Sequence, residues 1–291
     1  MKQGNFKNKI ERYILEMPSL PVSVGKVLEI CNNSDVNAKD LNQVISLDPV
    51  LTGKLLQLIN SAYYGLSSNI TSLIKAITML GINTVKNLAL STAILGTLPK
   101  NKKSTGLNME GYWRHCLCVG VTSKLLAVKQ GIDPKYHQEY FTAGLLHDIG
   151  KIPLNAVFAA DYMQIVSIAD RENKPLAAVE NEKLGINHCT SGAMIAKAWK
   201  LDNSVHDVIT CHHDIGGYSG ENLHILYNVA IANFFSLVYD VGFAGDRKAS
   251  KPEKKIWDTI GLTEDSFNEL NDKVFNEIEK AKIFLNISSR T

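Results

Sequence analysis

An all-α fold is the reading that three observations on this 291-residue sequence support. Apolar residues recur at helical spacing along nearly the whole chain. No stretch alternates apolar and polar residues between hairpin turns, so no strands are expected. Polar connectors bearing Gly and Pro separate the helical stretches, with no low-complexity tract and no evident internal repeat. Hydrophobic residues make up 45% and charged residues 21%, the balance of a globular protein with a sizeable core.

The elements follow in order. In PVSVGKVLEICNN, Val24, Val27, Leu28 and Cys31 fall at i, i+3, i+4 and i+7, an amphipathic stripe. NNSDVNAKD is a cluster of turn and cap residues after which the next helix starts. In DPVLTGKLLQLINSAYYG, Asp48 suits an N-cap and Pro49 the first helical turn. Leu51, Leu55, Leu58 and Ile59 then form its apolar face. ITSLIKAITMLGINTVKNLALSTAILG reads as two helices broken at Gly81-Ile82-Asn83, with Asn83 capping the second. LPKNKKSTGLN (98–108) has no periodicity and marks a boundary between subregions 18–98 and 109–214. Helices are expected near 109–130, 137–148, 160–171, 175–183, 188–199, 204–213 and 222–240. GFAGDRKASKPEKK (242–255) is a second polar connector, followed by charged helices. The division is then an N-terminal helix or extension at 1–17, a domain at 18–214 and a C-terminal helical extension at 215–291. The extension is expected to pack on the 109–214 subregion.

A net charge of +2 from 31 basic and 29 acidic residues, spread along the chain, gives no concentrated basic face. Nucleic acid is therefore not expected as a partner. The most membrane-like stretch, Ile225 to Tyr239, is short and contains Asn228, Asn233 and Ser236, so a buried helix is expected and no membrane span. MKQGNFKNKIERYILEM carries charge throughout and lacks the apolar core of a signal peptide, which points to the cytoplasm. The five cysteines (31, 116, 118, 189 and 211) lack zinc-ribbon spacing and read as reduced core residues.

Five of the eight histidines stand where ligation chemistry can occur. His115 lies in a helix; His147 and Asp148 lie in GLLHDIGKI, flanked by Gly144 and Gly150, which allow close backbone approach. His188 begins HCTSG, and His212-His213 precede the glycine-rich DIGGYSG. Imidazole with carboxylate suits zinc, manganese or iron, and a carboxylate flanked by histidines can hold two ions that activate water and polarise a phosphate. His137, His206 and His224 read as packed or surface residues.

Together, LPVSVGKVLEICNN, LDPVLTGKLLQLINSAYYG, ITSLIKAITMLGINTVKNLAL and GLLHDIGKI closely resemble the HDOD domain, a bacterial all-helical signalling module. The resemblance runs from about Pro18 to about Asp214. It implies a multi-helix bundle like that of the HD superfamily, with an N-terminal helical subdomain, related to HD phosphohydrolases and HD-GYP cyclic-di-GMP phosphodiesterases. It also implies a metal set of His115, His147, Asp148, His188, His212 and His213. Lys151 matches the HD-GYP lysine that helps to hold substrate phosphate. Gly192 completes that family's HxxxG, and Gly217-Tyr218 match part of its Gly-Tyr-Pro loop. Two positions depart from the pattern. Asn233 stands where a closing aspartate is expected, and Asp240 lies two turns further along the same expected helix, about 10 Å away. Gly111 stands where HD-GYP proteins place a glutamate one turn before the first histidine.

The function these readings imply is a regulatory signal-transduction module with a partly retained metal pocket, acting mainly through a signalling protein partner. Iron, manganese or zinc is the expected cofactor, as one or two ions at full or partial occupancy. The alternative is a metal-dependent phosphohydrolase acting on a nucleotide or cyclic dinucleotide, with Asp148 and Lys151 as its catalytic residues. A third reading is a structural or redox-sensing metal near Cys116, Cys118, Cys189 and Cys211, although core packing is the plainer role for those cysteines.

Overall fold

The computed structural model describes residues 4–33, 35–98 and 106–289, and among them it contains helices and no strands. The first group is α1 (Gly4–Glu16), α2 (Val22–Cys31), α3 (Ala38–Ser46), α4 (Pro49–Ile59), α5 (Leu73–Leu80) and α6 (Ile82–Thr97). The second is α7 (Met109–Lys129), α8 (His137–Leu146), α9 (Lys151–Val157), α10 (Ala159–Arg171), α11 (Leu176–Leu184), α12 (His188–Ala198), α13 (Asn203–Cys211) and α14 (Leu223–Val238). The chain ends with α15 (Lys254–Thr259), α16 (Glu264–Asn268), α17 (Asn271–Ala281) and α18 (Ile283–Ser289). The segment read as a break at 98–108 falls largely on 99–105, outside the described residues.

Local chemistry accounts for most boundaries. Asn37 starts α3 with a capping box: its side chain accepts from Lys39 and Asp40 amides, and Asp40 accepts from the Asn37 amide. Asp48 caps α4 through the Leu51 amide, with Pro49 in the first turn and Leu51, Leu55, Leu58 and Ile59 buried. Asn83 does not cap α6. Gly81 does the breaking, at φ 85°, and Asn83 lies inside the helix, where its carbonyl accepts from the Asn87 side chain. The turn at Gly81 bends α5 against α6 by 118°, so this apolar pair is not one straight rod. Among the described residues no single helix is long and apolar enough to cross a membrane. The expected helix at 222–240 ends at Val238, and Asp240 adopts φ 50° beyond it, facing Arg247 at 3.3 Å. Asp240 is therefore off the helix.

One continuous apolar core joins these layers. Helices α7 and α8 lie side by side at its centre, with α14 and α17 against α7 and α6 against α8. The α7–α8 approach depends on two glycines: a Cβ added to Gly144 would lie 2.8 Å from the Gly120 Cα. The NSAYYG stretch belongs to this core. Asn60 holds the backbone of Ile70 with both ends of its amide. Buried Tyr63 packs on Phe141 and Phe284, and Tyr64 donates to Gln138 of α8 at 3.2 Å. Lys86 of α6 and Asp202, just before α13, add a largely buried ion pair at 2.6 Å. Helix α18 closes the far side against α4 and α6.

Candidate metal centre

Helices α7, α12, α13 and the turn after α8 each deliver an imidazole to one carboxylate, Asp148. His147 and Asp148 leave α8 in the turn that runs into α9, and Gly150 in that turn lies against α12. A Cβ on Gly150 would fall 1.9 Å from the His188 carbonyl oxygen and 2.4 Å from the Gly192 amide. The glycine flanking the HD pair thus sets how near His188 comes. On one side, His115 Nε2 and His147 Nε2 stand 3.6 and 3.4 Å from Asp148 Oδ2, and 3.4 Å from each other. On the other, His188 Nε2 and His212 Nε2 each stand 3.4 Å from Asp148 Oδ1, with His213 completing that group. All are buried except His213, which is exposed.

Hydrogen bonds assign the four buried rings the same tautomer. His147 Nδ1–H donates to the Gly144 carbonyl at 2.7 Å, and His212 Nδ1–H to the Val208 and Ile209 carbonyls. Ser236 spends its hydroxyl hydrogen on the Val241 carbonyl, so its oxygen accepts from His115 Nδ1–H at 2.9 Å. Glu180 Oε2 accepts from both the His188 amide and His188 Nδ1, at 2.8 and 2.6 Å. Four Nε2 lone pairs therefore converge on a carboxylate, and the carboxylate–histidine pairing is the outer arrangement that metal-ligating histidines use. Burial holds His115 and His188 well below the usual imidazole range and pushes His147 down to about 3, so these rings are neutral and ready to ligate.

Burial opposes the ionisation of Asp148, but the surrounding imidazoles and the Lys151 ammonium hold its carboxyl well below the usual carboxylate range. Lys151 Nζ donates to Asp148 Oδ2 at 2.6 Å and is itself buried. Lys151, expected as a phosphate-binding group, has the Asp148 carboxylate as its hydrogen-bond partner. Asp148 Oδ1, His188 Nε2 and His212 Nε2 have no hydrogen-bond partner although they are buried. Buried acceptors left unsatisfied are uncommon, and three converging on one point fit a divalent metal. The spacing agrees: ligands about 2.0–2.1 Å from a tetrahedral ion stand about 3.3–3.4 Å apart.

The two departures acquire structural reasons. Asn233 lies on α14 and lines a cavity of about 690 Å³ together with His212, His213, Asp246 and Lys248. Gly111 lies under the chain after α14: its carbonyl accepts from the Phe243 amide at 2.9 Å, and a Cβ there would meet Phe243 backbone at 3.2 Å. The space a glutamate would use is filled by that crossing. The cysteines join neither group of ligand-type side chains found among the described residues. Cys116, Cys118 and Cys189 are buried, and all five are free thiols. In the DIGGYSG loop, Tyr218 donates to Asp207 of α13 at 2.6 Å, which anchors the loop to that helix. His137, bonded to the Ile132 carbonyl, His206, beside Asp207, and exposed His224 lie outside both groups. Glu180 and Ser236 are the site residues that sequence reasoning missed.

A helical bundle that gathers histidines from separate helices around an HD pair defines a member of the HD-type class. The HDOD domain family matches residues 17–215, more than half of the chain, and the chain belongs to that family. A solved HDOD domain protein of unknown function from Geobacter sulfurreducens is 25% identical, with a TM-score of 0.74 over 94% of this chain and 97% of its own. A provisionally named phosphohydrolase from Shewanella amazonensis is 23% identical, with a TM-score of 0.70 over 97% of this chain and 98% of its own. A provisionally named signal transduction protein from Marinobacter aquaeolei is 19% identical, with a TM-score of 0.77 over 99% of this chain and 66% of its own. These last two likenesses establish the fold alone. An uncharacterized protein of Treponema pallidum is 25% identical over 218 residues; the match takes in 75% of this chain but only 42% of that relative's length.

Proposed function

We propose that the chain is a regulatory HDOD module organised around a metal centre, with signalling output through protein contacts and no hydrolytic turnover. One observation carries the reading: Asp148 is the single carboxylate in either ligand group, and its charge is already opposed by Lys151. Hydrolysis of phosphate esters by paired ions relies on anionic ligands to hold two hard dications close together. Here the other ligands are neutral imidazoles, the position expected to hold an aspartate is Asn233, and the position expected to hold a glutamate is Gly111. Such a set favours a structural or sensing ion over a hydrolytic pair.

Protein contact is supported by an apolar patch in the N-terminal helices. Val22, Leu47 and Val50 are 76%, 74% and 61% exposed, and the Ser23–Asp48 hydrogen bond at 2.7 Å brings their segments together. A metal-dependent phosphohydrolase acting on a nucleotide or cyclic dinucleotide is the second reading. It is favoured by the cavity that opens beside His212 and His213.

The deciding experiment assays protein loaded with manganese, iron or zinc on bis-p-nitrophenyl phosphate and cyclic-di-GMP, with metal content measured in parallel. The regulatory reading expects bound metal and no turnover above a metal-only control. Turnover that tracks metal content and disappears in Asp148→Ala would establish the phosphohydrolase reading instead.

A further inference from the structure

We propose that the centre takes one metal ion, on the His188–His212 side of Asp148, and that Lys151 stands in for the second ion of a two-ion centre. The inference rests on the metal-centre reading above and assigns its stoichiometry and side.

The two oxygens of Asp148 are not equivalent. Oδ2, facing His115 and His147, accepts a hydrogen bond from Lys151 Nζ at 2.6 Å. Oδ1, facing His188 and His212, accepts none. On the Oδ1 side no atom has a donor: Oδ1, His188 Nε2 and His212 Nε2 are all without partners. On the other side His115 Nε2 and His147 Nε2 face each other at 3.4 Å as two acceptors, and only Oδ2 has a donor. Lone pairs of buried acceptors that face a carboxylate oxygen call for a cation between them. On the Oδ2 side the ammonium already puts a positive charge on the carboxylate oxygen. On the Oδ1 side nothing in the chain does.

A dication bound by His115, His147 and Oδ2 would have to share that oxygen with the ammonium. The charges are alike, and the other carboxylates that act on the ammonium, Asp246 and Glu180, belong to neither ligand group. Lys151 cannot swing out to water to make room, since it is 2% exposed and fixed at the first turn of α9. The His188 side has no such competitor. Its geometry is also the more firmly held, because Glu180 grips His188 at both the amide and Nδ1. His213 adds a third imidazole at the cavity mouth.

The test is metal per chain, measured after saturation with manganese or zinc and desalting, on folded wild type, Lys151→Met, His147→Ala and His188→Ala. Wild type and His147→Ala are expected to hold one ion, His188→Ala under about a tenth of an ion, and Lys151→Met two. Two ions in wild type would overturn the inference, as would metal lost from His147→Ala yet kept by His188→Ala. A single ion in folded Lys151→Met would remove the stand-in role. If that variant does not fold, the contrast between the histidine variants still decides the side. No ion in saturated wild type would defeat the metal-centre reading itself, whereas two ions would defeat only the stoichiometry.

Discussion

Glu180 and His188 are joined twice through a single oxygen: Oε2 accepts from the His188 amide at 2.8 Å and from its Nδ1 at 2.6 Å. Tyr162 donates to the other oxygen at 2.6 Å, so the carboxylate is itself held in place. Replacing Glu180 by Gln keeps the size but presents an amide that can donate, and His188 loses its enforced tautomer. Metal affinity is expected to fall about 10- to 100-fold, as for other outer partners of ligating histidines. Competition with a fluorescent zinc chelator measures it, and Tyr162→Phe should show a smaller loss.

Gly150→Ala is expected to cost several kcal/mol or to prevent folding, since its Cβ would overlap backbone atoms of His188 and Gly192. Gly25→Ala and Gly53→Ala lie in helix interiors with nothing within 4 Å of the new methyl. Each should stabilise by about 0.5–1 kcal/mol through helix propensity. Urea denaturation of the three variants separates the two outcomes.

The Lys86–Asp202 pair predicts non-additivity. Asp202→Ala leaves the Lys86 ammonium largely buried without its 2.6 Å partner and should cost about 2–4 kcal/mol. The double variant Lys86→Met/Asp202→Ala should regain most of that loss. A double-mutant cycle gives the coupling directly.

Lys124 gives a pH signature. Its ammonium lies over the Tyr63 ring at 4.3 Å, and burial pushes its pKa down to about 8. Between pH 8 and about 10.4 the unfolded chain therefore binds a proton here that the native chain does not. Native stability from this group rises with pH across that window; below it, native protein carries the buried charge at a disadvantage. Lys124→Met should gain most over wild type at pH 7, and the gain should shrink by up to about 3 kcal/mol by pH 10.4. A gain that does not change with pH would contradict this assignment.

The histidine–aspartate cluster was legible because its residues carry local marks. The HD pair is followed by Ile-Gly-Lys, and Gly144 and Gly150 flag the close approaches that the structure realises against Gly120 and His188. Glu180 carries no such mark in LAAVENEKL, which reads as a charged helix. Its role comes from α11 packing beside the start of α12, a tertiary contact. The usable signal is positional: Glu180 shares the buried face with Leu176, Val179 and Leu184, where an acid needs a partner. Ser236 was hidden in the same way within an apolar helix. The partner of Lys151 was open to reading, since i, i+3 spacing from Asp148 permits the bond. Asn83 shows the opposite limit, where a plausible cap residue was overridden by the backbone freedom of Gly81.

X-ray absorption at the zinc edge of the loaded wild-type protein reads the ligands of the centre. A shell of nitrogen and oxygen at about 2.0–2.1 Å with imidazole outer-shell scattering is expected, lost in His188→Ala. A sulfur shell at about 2.3 Å, or protein that retains no zinc, would contradict it.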